Sequence, residues 1–477
     1  MLFSLSFNGI KKDYLICERG KRRSAFAPIK RNLLTFPGMA GAYLESTDTE
    51  VRIIQQPITI NAKDRLDERK LEEDLSDWLV TGQPAELIFD DEPDRVYYAV
   101  VDGSLDIEDI ARFGKGTITF VCPDPYKYGE EKPPETFQDV SAVSNLGTVE
   151  TGPIFNLEVL HPVTFAMVQK GLDQYMMIGN PTEVTSEGVD PRRLLFEETG
   201  TTLNSWSTAL PEMEGGSQGT IGYDGAGITA PSYGSGSGYH GPSVFKEVPL
   251  TQHFEIELRG QLQTSDVKQT GRLGFFLFDD QMREIAYMGA IDNSVWLSKK
   301  SVEGRIGPFI GDFKNYLISS RNYQFEWDNF PVYMRLRRIG DTYEFYAARV
   351  LGNGKHMEPF MASWTVWEDK FRGPLKYVGI FIDKHGDSLS PHTNRIDYIK
   401  VNELVEITFD QTPYIAYPGD VITFNHVDSE ILINGEDRTD LKDFGANYFS
   451  LDKGVNQLIV LPAQSFNTSV RFRERYR

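Results

Sequence analysis

Two carboxylates stand at alternate positions in FEIELRG, residues 254–260. In a strand, Glu255 and Glu257 project from the same face, where paired acids could divide the work of glycoside hydrolysis. A third acid two or three positions on would complete such a site, and Arg259 and Gly260 stand there instead. The stretch therefore reads as a solvated strand face. Gly386-Asp387-Ser388-Leu389 offers a hydroxyl nucleophile, but no Asp-x-x-His follows to supply a base. A serine without an oriented base is inert, so a loop between late strands is expected. His385, Asp387 and His392 could meet in that loop; elsewhere the seven histidines do not cluster with carboxylates at metal-ligand spacing. No glycine-rich loop leads into Lys-Ser or Lys-Thr to cradle a phosphate. No catalytic residue, metal site or cofactor is expected.

Binding chemistry is a better prospect than catalysis. Residues 194–402 carry Trp206, Trp296, Trp327, Trp364 and Trp367, five of the six tryptophans. Sugars present apolar CH faces that stack on exposed aromatic rings. Trp206, Tyr223, Tyr239, Trp296, Trp364 and Trp367 are the candidate glycan-binding residues, with Tyr233 in the same loop as two of them. The competing reading is that these rings fill a core, as aromatics do in any sandwich. In SWTVWE, Trp364 and Val366 share one face and Trp367 the other, so one of the two tryptophans is expected to be exposed. At the C-terminus, Arg471, Arg473, Arg475 and Arg477 alternate and would line one face of a strand. They suit either a contact with an acidic neighbour or charge that protects a sheet edge.

The elements that must position these residues are mostly strands. LSFNGI, DYLICE and VRIIQQPITI read as short strands between turns. In DRLDERKLEEDLSDWLVTG, Leu71, Leu75, Trp78 and Leu79 share one helical face, and Gly82 stands where a C-cap glycine belongs. AELIFDDEPDRVYYAVVDG reads as a hairpin, and GKGTITFVCPDPYKYG closes a unit over residues 1–130 with prolines that cannot continue a ladder. EEKPPETFQDVSAVS reads as a linker. Three strands follow at 153–180, too few for a core, and several more lie between 404 and 473. Between them, residues 194–402 hold eight strand candidates, the count of an antiparallel jelly roll. The orphaned strands on either side total about seven, a normal sandwich. The expectation is one discontinuous domain, residues 145–193 with 403–477, interrupted by an inserted jelly roll at 194–402; insertion is tolerated where chain ends lie close together.

Composition sets the limits. The chain has 477 residues, 40% hydrophobic and 25% charged, with 42 glycines and 12% aromatics. This favours a strand-rich globular protein. The net charge of −20 opposes binding to nucleic-acid phosphates. Cys17 and Cys122 give neither a disulfide framework nor zinc spacing. No basic-then-apolar leader opens the sequence, and no apolar run reaches ~18 residues, so no membrane span is expected.

The ordered set SFNG, FPGMAGAYLESTD, VRIIQQPITI, DLSDWL, LIFDDEPDRVYYAVVDG and FVCPDPYKYG resembles the distal tail proteins of long-tailed phages that infect Gram-positive bacteria. GTVETGPIFNLEV resembles the opening of that family's galectin-like second domain; PGDVITFN, ILINGEDR and FSLDKGVNQLIV resemble its end. The resemblance implies a mainly β protein: an N-terminal β-sandwich or hairpin ring domain with one helix, then a discontinuous galectin-like β-sandwich interrupted by a concanavalin-like jelly roll. It implies a non-enzymatic structural virion protein, made in the host cytoplasm and placed at the distal end of the tail. Its partners would be further copies of itself in a homohexameric ring, the tail tube protein, a tail-tip protein, receptor-binding proteins and host cell-wall polysaccharide. DNA would only pass through the lumen, whose carboxylates would repel it. A cell-wall glycan hydrolase and a simple adhesin are the alternative functions.

Overall fold

The single α-helix among the described residues, Arg65–Leu79, begins where Asp64 accepts hydrogen bonds from the backbone N–H groups of Leu66 and Asp67. Leu75, Trp78 and Leu79 are buried and Leu71 is half-buried, so the expected face is the packed one. The Trp78 indole donates to the carbonyl of Phe7 at 2.9 Å, tying the last turn to the first strand. The helix does not run to Gly82. Val80 is already extended (φ −84°, ψ 101°), and Gly82 lies in the loop beyond.

The computed structural model describes residues 4–105, 108–110, 113–182, 187–208, 217–297, 300–309, 315–318, 329–367, 370–408 and 410–477. Trp327 falls outside them. The helix covers a sheet whose order is Leu5–Phe7, Ala85–Phe89, Tyr97–Val101, Phe113–Cys122, Arg52–Asn61, Leu15–Cys17. Their inward residues form one core with Trp78 and Cys122. Burial pushes both thiols, Cys17 and Cys122, up to about 12, so neither is a thiolate at neutral pH.

Two strands stand apart. Ile29–Leu34 and Tyr43–Thr49 pair only with each other among the described residues. Almost every residue in them is exposed, including Ile29, Leu33, Leu34, Tyr43 and Leu44.

The segment 135–145, expected to be a linker, forms two strands. Glu135–Phe137 pairs with Phe466–Arg471, and Val140–Asn145 pairs with Gly454–Leu461. Asp139 fixes the crossing, accepting from the backbone N–H of Gln464 at 2.7 Å. The two sheets so formed mix early and late chain throughout. Ile154–Val159 lies between Val421–Asn425 and Phe466–Arg471, and Phe165–Lys170 lies between Gln174–Gly179 and Gly454–Leu461. Phe155, Leu157, Val168 and Ile178 share a core with Ile422, Phe424, Leu458 and Val460.

Between these halves a larger sandwich buries its own core. One sheet runs through Ile228–Ser232, Thr393–Leu404, Phe254–Gln263, Pro331–Ile339, Thr342–Val350 and His356–Thr365. The facing sheet runs through Leu375–His385, Gly271–Asp279, Glu284–Asp292 and Lys300–Ile306. All eight strand candidates are present in whole or part. The fourth begins at Pro331, a residue that can open a strand but not sit within its ladder. Strand Lys300–Ile306, with its internal Gly304, gave no clear sequence signal.

Two of the four C-terminal arginines, Arg473 and Arg475, clasp the N-terminal unit, so the four do not line one free strand face. The strand ends at Arg471. Arg475–Tyr476 then pairs with Lys127–Tyr128. Arg473 donates to the carbonyl of Gly129 and to the Tyr98 hydroxyl, and Arg475 meets Asp124 at 3.2 Å with its guanidinium over the Tyr126 ring.

Candidate functional site

The six aromatic candidates differ sharply in burial. Trp206 is a core residue, 7% exposed. Its ring packs edge-on against Phe196 and its indole donates to Glu198 at 3.0 Å, so it has no face left for a sugar. Tyr239 is half-buried, stacked under the Arg272 guanidinium and edge-on to His385. Trp296 and Trp367 are 85% and 81% exposed, Trp364 is 42% exposed, and Tyr223 is exposed at a turn. The expected alternation between Trp364 and Trp367 breaks because the strand ends at Thr365; both rings reach solvent and Val366 turns inward.

The two acids behave otherwise than expected. Glu255 and Glu257 do share a face, but Glu255 is 0% exposed. It lies in a cross-strand ladder on the outer face of the sandwich. One rung is Asn402, Glu255, Arg337, Glu344; the next is Lys400, Glu257, Arg335, Tyr346; the third is Tyr398, Arg259, Tyr333, Ala348. Sequence alternation gave each strand's parity. The register that sets arginines opposite the two glutamates comes from strands some eighty residues apart.

Glu255 is ion-paired to Arg192 at 2.7 Å and to Arg337 at 3.3 Å. Burial alone would raise its carboxyl; the Arg192, Arg335 and Arg337 charges outweigh that and hold it below the usual range. Glu257 accepts a hydrogen bond from the Tyr333 hydroxyl at 3.0 Å. Burial, then the charge of Glu255, pushes it upward. A buried carboxylate locked between two guanidiniums cannot attack a sugar, so Glu255 holds the ladder together.

The ladder faces the other sandwich across a cavity of about 550 Å³. Arg335 crosses to Glu436 with two hydrogen bonds, 2.7 and 2.9 Å. Lys355 meets Glu430 at 2.5 Å, and the backbone N–H of His356 donates to the carbonyl of Gly435 at 2.9 Å. Gly435 has φ +85°, and a Cβ there would lie 2.1 Å from the carbonyl oxygen of Gly354; only glycine allows this approach. The cavity is lined by Tyr398, Lys400, Asn402, Glu257, Tyr417 and Asp420, among others. Asn402 is 2% exposed and its Nδ2 has no hydrogen-bond partner. Such an orphan donor costs about 1–3 kcal/mol. Sequence reading missed Tyr333, Arg335, Lys400 and Asn402; the alternation of YMRLRR held a signal for two of them.

Ser388 is a turn residue, its hydroxyl 2.5 Å from that of Thr270. Among the described residues no group of three histidine, cysteine or carboxylate side chains could hold a metal. No helix among them is long and apolar enough to cross a membrane.

Two families match parts of the chain. Residues 11–122 match the phage tail protein RIFT-related domain, and residues 389–476 match the siphovirus-type tail component, C-terminal domain. Both matches are to phage tail components, which supports a structural role in a phage tail. At both ends the chain is similar to phage distal tail proteins. The distal tail protein of Bacillus phage SPP1 is 26% identical over 154 residues, 32% of this chain and 60% of that protein, so the chain spans less than two thirds of that relative's length. The solved SPP1 Dit protein is 22% identical with a TM-score of 0.35, over 38% of this chain and 75% of that one. The CBM2 module of the evolved Dit of Lactobacillus casei BL23 phage J-1 is 16% identical with a TM-score of 0.37, over 46% of this chain and all of that one.

Proposed function

We propose that this chain is a non-enzymatic structural subunit of a phage tail, placed at its distal end in the virion. Copies assemble as a ring, with hexamer the natural number for this family, that joins the tail tube to the tail tip and carries receptor-binding proteins. The three cores correspond to three working units: a ring-forming unit at 1–130, a galectin-like unit at 145–193 with 403–477, and an inserted unit at 194–402 that touches host wall polysaccharide.

The observation that carries the ring is the exposed hairpin. An isolated two-stranded ribbon is marginally stable in water, yet this one presents Leu33 opposite Leu44 on one side and Leu34 opposite Tyr43 on the other. A neighbouring copy is the occupant these residues await. Each Leu fully buried there contributes about 1.5–3 kcal/mol. The exposed Trp296 and Trp367 support glycan contact by the inserted unit. Buried, ion-paired Glu255 speaks against the hydrolase alternative, and tube docking separates a hub from a simple adhesin.

Mass photometry tests the ring. The unaltered chain should form closed oligomers, alone or with the tube protein, and L33E/L44E should remain a folded monomer by circular dichroism. A strict monomer under every condition, or rings that survive both charges, would overturn the reading.

A further inference from the structure

The cavity between the two sandwiches has its needs unevenly met. Every lining carboxylate already has a partner. Glu436 is committed to Arg335, Glu257 accepts from Tyr333, Asp190 accepts from the Tyr417 hydroxyl at 2.7 Å, and Asp420 accepts from Asn434 and from the backbone N–H of Tyr417. The groups left over are donors. Asn402 Nδ2 is buried without a partner, and the Lys400 ammonium beside it acts on Glu257, its cross-strand neighbour, through its charge and not through a close ion pair. They stand two residues apart on one strand, on one face, opening on the same space. Tyr398 continues that face by a further rung, and Tyr417 lies on the opposite wall.

An orphaned amide donor beside an ammonium calls for an anionic acceptor. Aromatic walls beside them suit the apolar face of a sugar ring. The volume falls within the range of small-molecule sites, and the position between two packed bodies is where such sites concentrate. We propose that this cleft binds a saccharide or polyol unit bearing a carboxylate or phosphate, with its anion on Lys400 and Asn402 and its carbon skeleton against Tyr398 and Tyr417. The inference rests on the reading of the inserted unit as a wall-polymer contact, and moves the specific site from the exposed tryptophans to the joint. The upward shift of Glu257 lowers the negative charge an arriving anion would meet.

Titration calorimetry on the full chain with D-glucuronate, glycerol 3-phosphate and D-glucose tests it. At least one anion should bind, and glucose at least tenfold more weakly. K400M and N402L should each weaken anion binding at least tenfold, while W296A and W367A leave it unchanged. N402L should melt no lower than the unaltered chain, because it removes an orphaned donor. Which anion binds distinguishes carboxylate from phosphate recognition. Equal binding of glucose, absence of heat with all three at millimolar concentration, or indifference to both cleft variants would overturn the proposal. A parallel sedimentation assay with Gram-positive cell walls separates the two readings. Wall binding that survives K400M and N402L but is lost in W296A/W367A removes the cleft and keeps wall adhesion. Anion binding in the cleft without wall sedimentation removes wall adhesion and keeps the cleft.

Discussion

Replacing Arg335 by methionine should loosen the joint between the two sandwiches. The guanidinium is bidentate to Glu436 at 2.7 and 2.9 Å, and the two side chains are only 15% and 16% exposed. Losing one partner of a fully buried pair costs about 3–5 kcal/mol; with this much solvent reaching both groups, about 2–3 kcal/mol is the working figure. R335M should cost more than E436Q, because the Arg335 charge also helps hold Glu255 ionised. The double variant should cost little more than R335M alone, since no unpaired charge remains, giving a coupling of about 1.5–2 kcal/mol. Tryptophan fluorescence in urea reads the relevant transition, because five of the six tryptophans lie in 194–402. Additive single effects, with coupling below about 0.5 kcal/mol, would mean that the bridge is no stronger than a surface pair and that the joint is not clasped there.

Acidification should weaken the discontinuous sandwich through one histidine. His426 lies against Phe155 and Phe449, its Nδ1 accepts from the backbone N–H of Phe449, and burial pushes its pKa down to about 3. The folded state therefore keeps it neutral while the unfolded chain, near 6.5, takes up a proton. The stability contributed is fully present above pH 6.5 and is lost as pH falls toward 3, by about 1.6 kcal/mol between pH 6.5 and 5. Urea melts across that range should show the slope, H426Q should flatten it, and equal slopes would refute the assignment. Excision of 194–402, replaced by Asn-Gly, should leave the remaining sandwich folded, because Arg193 and Glu403 are already cross-strand partners that a two-residue turn can join; loss of cooperative melting in the shortened chain would refute it.

Much of the fold was legible because it rests on local rules. A turn between apolar runs marked the strands at 85–89 and 97–101, alternation fitted the strand at 254–263, and the apolar face of the helix predicted which residues pack. The failures share a cause. Glu255 was read as solvated because alternation states which residues share a face, and cannot state what covers that face; Trp206 was left open between core and sugar contact because residue type does not fix burial. Residues 135–145 read as a linker because they are polar and follow prolines, yet their partners at 454–470 make them strands.

The sequence alone determined a mainly β chain and, among the described residues, the one helix and its packed face. These depend on residue type and near spacing, which fix backbone preference and side-chain parity. The tertiary structure decided that Arg473 and Arg475 clasp the N-terminal unit, that Arg335 reaches Glu436, and that Asn402 and Lys400 open on a shared cavity. Those contacts join residues tens to hundreds of positions apart. Their energies depend on register and desolvation, which exist only once the sheets have packed.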